Sequence, residues 1–190
     1  TTNVLMEAPL LFLPVQILWM NLVTTGVQDL ALAFEPAEGD ELQRKPRPRG
    51  EGIMSRPMWV RAILTGAWMA AIVLLAYEVA LAQGASLEHA RTFAITTFVA
   101  LTVFQALSSR GLYRSILRTR FFGNPFLIIG MAVSVLVHAV VMYLPPVSGV
   151  FGFAPLGLPE WGACLVLGSS VLLVNEVHKW HGRRDLDRDR

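Results

Sequence analysis

The chain alternates long apolar stretches with short polar breaks. Five stretches are each long enough for a helix to cross a bilayer, which takes about 20 residues at about 1.5 Å per residue. They run approximately over residues 15–34, 58–81, 90–107, 125–144 and 161–180. A barrel strand needs about ten residues of alternating polarity, so these continuous runs predict helices. Pro14, Pro57, Pro125 and Pro159 stand at or just before segment starts. A missing N–H removes no intrahelical bond there. Polar connections are predicted over residues 35–57 and 108–124. The stretch from Leu144 to Glu160, with Pro145, Pro146, Gly149, Gly152, Pro155, Gly157 and Pro159, reads as a folded loop without regular structure. The expected fold is an all-α membrane protein with five transmembrane helices in one domain over residues 1–190.

Composition sharpens this picture. The 190 residues are 54% hydrophobic and only 16% charged, whereas a soluble domain carries about 25% charged residues. So few charges cannot cover a water-facing surface, which excludes a single soluble domain and a disordered chain alike. The charge distribution then orients the chain. Arg44, Lys45, Arg47, Arg49, Arg56 and Arg61 follow segment one. Arg110, Arg114, Arg118 and Arg120 follow segment three, and Lys179, Arg183, Arg184, Arg188 and Arg190 follow segment five. These ends share one side, and the positive-inside rule makes it cytoplasmic. The N-terminus is then outside and the C-terminus cytoplasmic, with Arg91 the lone basic residue on the outer side. Basic clusters placed between apolar runs point to membrane orientation and not to nucleic acid. A plasma membrane or bacterial inner membrane is the expected location. No signal peptide is read at Thr1, and an odd number of spans beginning outside is expected of a chain preceded by further spans. Cys164 is the single cysteine, so no disulfide or CxxC metal site forms within the chain. Within GACLVLGSSVLLV it reads as a small buried hydrophobe.

Candidate chemistry concentrates in segment one. Asn21, Thr24, Thr25, Gln28 and Asp29 interrupt an otherwise apolar helix. At about 100° per residue all five fall within an arc of about 140°, with Leu22, Val23, Val27 and Leu30 opposite. Such a stripe is expected to face other helices or a wet cavity. An intramembrane carboxylate such as Asp29 is costly and points to function. Carboxylate, amide and hydroxyl oxygens are hard ligands suited to Ca²⁺, Mg²⁺, Na⁺ or K⁺. Gly26 within the stripe permits local unwinding, which would free carbonyl oxygens for an ion. The bland alternative is a polar seam that joins helices through hydrogen bonds. Elsewhere, His138 reads as a satisfied bundle histidine and Glu78 as solvated or hydrogen-bonded. Glu176 and Lys179 read as an i,i+3 ion pair. Trp19 and Trp68 read as packing residues.

The run LFLPVQILWMNLVTTGVQDLALAFEP, followed by RKPRPRGEGIMSR, resembles the sixth helix and following loop of P-type cation-transporting ATPases of the calcium-pump-like branch. RTFAITTFVALTVFQALSSRG resembles the family's eighth helix, NPFLIIGMAVSVLVHAVVMYLPP the ninth and PEWGACLVLGSSVLLVNEVHKW the tenth. The resemblance covers nearly the whole chain in order and implies a C-terminal transmembrane domain. It implies cation-ligand positions at Asn21 and Thr24. Thr25 stands where the calcium-pump pattern has an Asp, and Thr102 where it has a Glu or Gln. Both departures remove charge and weaken the hold on a divalent cation. Asp29, one turn on from Thr25, is a candidate for a displaced carboxylate, and Gln28 for an extra amide.

The expected function is therefore the membrane part of an ATP-driven cation pump, supplying part of the transport site and the coupling loop. Its partners would be the transported cation, the remaining N-terminal helices and cytoplasmic domains of the pump, and the lipid bilayer, with no nucleic acid. The resemblance implies that Mg²⁺ and ATP act in the missing part. No cofactor is expected in this segment, and no catalytic residue, because it carries no phosphorylation motif or Gly-rich phosphate loop. The alternative is a stand-alone, non-catalytic multi-span protein that assembles with other helices.

Overall fold

The computed structural model describes residues 10–36, 52, 54–111, 115, 116 and 121–188, without the side chains of Thr25, Val27 and residues 183–188. The basic loop from Arg44 to Arg49, with Arg114, Arg118, Arg120 and the tail side chains from Arg183 onward, lies outside the described residues. All regular structure among the described residues is helical: α1 Pro14–Thr24, a π-helical turn Thr25–Asp29, α2 Leu30–Leu32, α3 Arg56–Ala82, α4 Leu87–Ser109, a 3₁₀ turn Phe121–Gly123, α5 Pro125–Tyr143, α6 Pro145–Phe151 and α7 Leu158–Arg188. Four of these, α3, α4, α5 and α7, contain stretches long and apolar enough to cross a membrane. Segment one is interrupted, and none of its three parts is long enough alone.

Local sequence explains the helix ends. Ser86 Oγ accepts from His89 N–H (3.2 Å) to start α4. Asn124 Oδ1 accepts from Leu127 N–H (3.0 Å) to start α5. Each side chain satisfies an N–H that the first helical turn leaves unpaired. Pro57 and Pro125 occupy first-turn positions. The Leu144–Glu160 connection differs from expectation, because α6 forms within it. Pro145 and Pro146 initiate this helix instead of breaking it, and Gly152 ends it with φ +62° in the left-handed region.

Contacts at the two ends show how the segments run. At one end, Arg91 donates through Nε and Nη2 to the carbonyl of Leu10 (3.0 and 2.8 Å). Gln16 Nε2 donates to Phe151 O (2.9 Å), Tyr143 Oη donates to Leu156 O (2.6 Å), and His89 meets Glu160. At the other end, Arg110 Nε donates to both carboxylate oxygens of Glu35 (2.9 and 3.0 Å). Lys179 Nζ donates to Ser108 O (2.7 Å), and Arg61 Nε to Asn175 Oδ1 (3.1 Å). Consecutive long segments therefore run in opposite directions. Lys179 and Glu176 approach to 4.0 Å.

α4 is the central helix and packs most extensively against α7. Gly168 makes that approach possible: a Cβ there would stand 2.7 Å from Ala100 Cβ and 2.9 Å from the Ala100 carbonyl carbon. One core cluster joins Trp19, Met20, Val23, Ile95, Met142 and Cys164. The outer faces carry exposed Leu18, Ile63, Leu75, Phe126, Leu136, Val166 and Leu173. Apolar exposure on this scale fits a lipid-facing surface. The chain is an integral membrane protein.

Candidate cation site

The polar residues of segment one are divided between two sides. Thr24 and Gln28 are buried, whereas Asn21, Gly26 and Asp29 are exposed beside Leu18, Leu22 and Leu30. The position of the Thr25 side chain lies outside the described residues. Val23, placed opposite the stripe by the helical wheel, is 4% exposed and packs in the core with Trp19 and Met20. Trp19, Met20 and Val23 thus face α4 and α5, and the polar stripe straddles the border of a face left open among the described residues. Thr24 Oγ donates back to Met20 O (2.7 Å), a local bond typical of hydroxyls within helices. Gln28 Nε2 is buried with no hydrogen-bond partner among the described residues.

The π turn Thr25–Asp29 coincides with the second half of the stripe. Closing i to i+5 instead of i to i+4 puts more residues into the turn and leaves a carbonyl over, and such widened turns concentrate at functional sites. Gly26 within it has nothing within 4 Å of a built Cβ, so steric crowding from other segments of this chain does not require a glycine there.

Five polar ties bracket the turn, all made to α5 or the connection before it. Trp19 Nε1 donates to His138 Nδ1 (3.2 Å). Because Trp19 can only donate, the His138 proton sits on Nε2 and points to Thr96 Oγ (3.0 Å). His138 is fully buried and joins α1, α4 and α5. Ser134 Oγ donates to Val23 O (2.7 Å). Beyond the turn, Asn124 Nδ2 donates to Ala31 O (2.9 Å) and Glu35 Oε2 (3.0 Å). The Arg110–Glu35 pair closes the set, with Arg110 Nη1 also donating to Phe121 O (2.9 Å).

Other candidates lie apart from this site. Thr102 is half-buried and donates to Val99 O (2.8 Å). Glu78 is exposed. Cys164 is fully buried and accepts from Thr97 Oγ (3.4 Å). Trp68 is 39% exposed, but its indole N–H reaches Ser170 Oγ (3.0 Å). Among the described residues no three His, Cys, Asp or Glu side chains come together. The ties of Ser134, Asn124 and the Arg110–Glu35 pair were not expected from sequence. Asn124 before Pro125 carries a helix-start signature that could have flagged it.

The family model for the C-terminus of cation-transporting ATPases matches residues 9–181. The chain belongs to this family. Its relatives include a protein named probable cation-transporting ATPase F from Mycobacterium bovis, 32% identical over 162 residues that cover 85% of this chain and 18% of that protein. A calcium-transporting ATPase from Bacillus subtilis is 31% identical over 169 residues, 88% of this chain and 19% of that protein. Calcium-transporting ATPase 1 of Schizosaccharomyces pombe is 30% identical over 169 residues, 89% of this chain and 19% of that protein. This ATPase domain therefore spans about a fifth of the length of the curated relatives it matches. It is the C-terminal membrane domain of a P-type ATPase.

Proposed function

We propose that this domain supplies one wall of the transport site of an ATP-driven cation pump, through Asn21, Thr24, Thr25, Gln28 and Asp29. The observation that carries this reading is the π turn set within the polar stripe and opening onto an unfilled face. Asn21 and Asp29 stand on that face, where further helices would complete the site. The unmet amide of Gln28 supports the same reading. A buried donor without an acceptor costs on the order of 1–3 kcal/mol, and rotation of the same amide offers Oε1 as a hard ligand. Among the described residues no three His, Cys, Asp or Glu side chains gather, and in this reading the remaining ligands come from elsewhere in the pump. ATP hydrolysis with Mg²⁺ belongs to the pump's other domains.

Glu35, Arg61, Arg110 and Lys179 lie at one end of the bundle, and in this reading that end, where the basic clusters of the sequence follow, faces the cytoplasm. The connection at residues 35–57 would then be the link to the phosphorylation domain.

The test uses the complete pump. Asp29→Ala should raise the cation concentration for half-maximal phosphorylation at least roughly tenfold, equivalent to about 1.4 kcal/mol. Unchanged cation dependence would remove Asp29 from the ligand set. Sequencing the reading frame upstream of Thr1 separates the stand-alone alternative: a start codon directly upstream would favour it.

A further inference from the structure

The ties around the π turn have an ordered placement. Trp19, Val23, Ala31 and Glu35 are spaced by multiples of four, and all four are held by α5 or by Asn124 at its start. The two ties nearest the turn are made to backbone. Val23 O would pair with the Val27 N–H in a regular α-helix, and Val27 lies inside the widened turn. Ala31 O lies at the helix end, where it accepts from Phe34 N–H in a tightened i,i+3 bond (3.2 Å). The two carbonyls thus flank the widened turn, and each gains a buried side-chain donor from the same neighbour. Ser134 and Asn124 are 2% and 1% exposed, so neither donor competes with water.

We propose that Ser134 and Asn124 are positioning residues of the cation site: by holding Val23 O and Ala31 O they fix the π turn between them, and so set the affinity for the transported cation. This rests on the reading that segment one carries the site. Neither side chain need touch the ion. α5 serves as a splint: it keeps the turn wide and its carbonyls oriented when no cation is bound. Preorganisation of this kind is read out as affinity, because the ion no longer has to order the turn itself.

The test is made in the complete pump with Mg-ATP. Ca²⁺, Mn²⁺, Na⁺ and K⁺ are titrated separately, and the ion that activates the parent most strongly becomes the probe. Ser134→Ala removes one donor with little change in volume. Asn124→Ser keeps a side-chain oxygen that can cap the first turn of α5 but is too short to keep the amide bonds to Ala31 O and Glu35 Oε2, and it adds no charge beside Glu35. Each should raise the half-activating cation concentration roughly threefold to tenfold, the range of one buried hydrogen bond. The half-saturating ATP concentration should stay at the parent value, and Ser134→Thr, which keeps the hydroxyl donor, should restore cation affinity. Two results overturn the proposal. One is lower maximal activity in both variants at unchanged half-activating cation. The other is parent behaviour in both while Asp29→Ala shifts the cation dependence, which leaves the site itself in segment one. If Asp29→Ala also behaves as the parent, the underlying reading fails and takes this one with it.

Discussion

At the residue scale, polar groups carry the specificity of a bundle whose surface and interior are both apolar. His138 illustrates this. The sequence places a histidine mid-membrane and reads it as satisfied within the bundle. The structure adds that its two ring nitrogens tie α1 and α4 to α5 through Trp19 and Thr96. Trp19→Phe keeps an aromatic ring but leaves His138 Nδ1 buried without a donor, a loss of about 1–3 kcal/mol. The unfolding temperature of the purified pump in detergent should fall. An unchanged temperature would show that the tie adds no stability. The helical wheel finds the five polar residues of segment one but not their division between two sides. A wheel assumes that polar residues turn inward in a membrane and that every turn is regular. Here the inward face of α1 is mixed, with Trp19, Met20 and Val23 buried beside Gln16 and Thr24, and the π turn shifts the phase from Thr25 onward. Ser134 was not legible at all, since a lone serine in an apolar helix does not announce which carbonyl it meets.

At the element scale, the long segments were legible because about 20 apolar residues between prolines and charges admit few other readings. The short helix α6 was not, because a Pro-Pro pair followed by glycines carries the signature of a loop. Only the fixed φ of proline at a helix start favours the helix that forms. The α4–α7 crossing is a tertiary fact that no hydropathy profile contains. It depends on Gly168, whose missing side chain lets the two backbones meet over Ala100. Gly168→Leu should force them apart at a cost of about 1–3 kcal/mol or more, seen as reduced yield and a lower unfolding temperature. Gly66→Leu on α3, where a built Cβ meets nothing within 4 Å, should leave both unchanged. If the two variants behave alike, close packing at Gly168 is not what holds α4 against α7.

At the scale of the whole molecule, the contacts give alternating segment directions, and the proposed orientation rests on the charge distribution alone. Ser148 on α6 and Gly123 before α5 lie at opposite ends of the bundle. In a Cys164→Ala background, S148C should react with a membrane-impermeant maleimide from outside intact cells, and G123C only after permeabilisation. The reverse pattern would invert the proposed orientation. Family membership makes this domain about a fifth of a larger protein in its relatives, and the open polar face of segment one is where that larger protein would meet it. If that face holds the ion, loss of Asp29 weakens ion binding. The most direct measurement is equilibrium binding of the activating cation to the purified complete pump, without ATP, for the parent and for Asp29→Ala. Binding in the variant should be at least roughly tenfold weaker, equivalent to about 1.4 kcal/mol, with the fold intact by thermal unfolding. Equal affinity in the two proteins would contradict an ion site on that face.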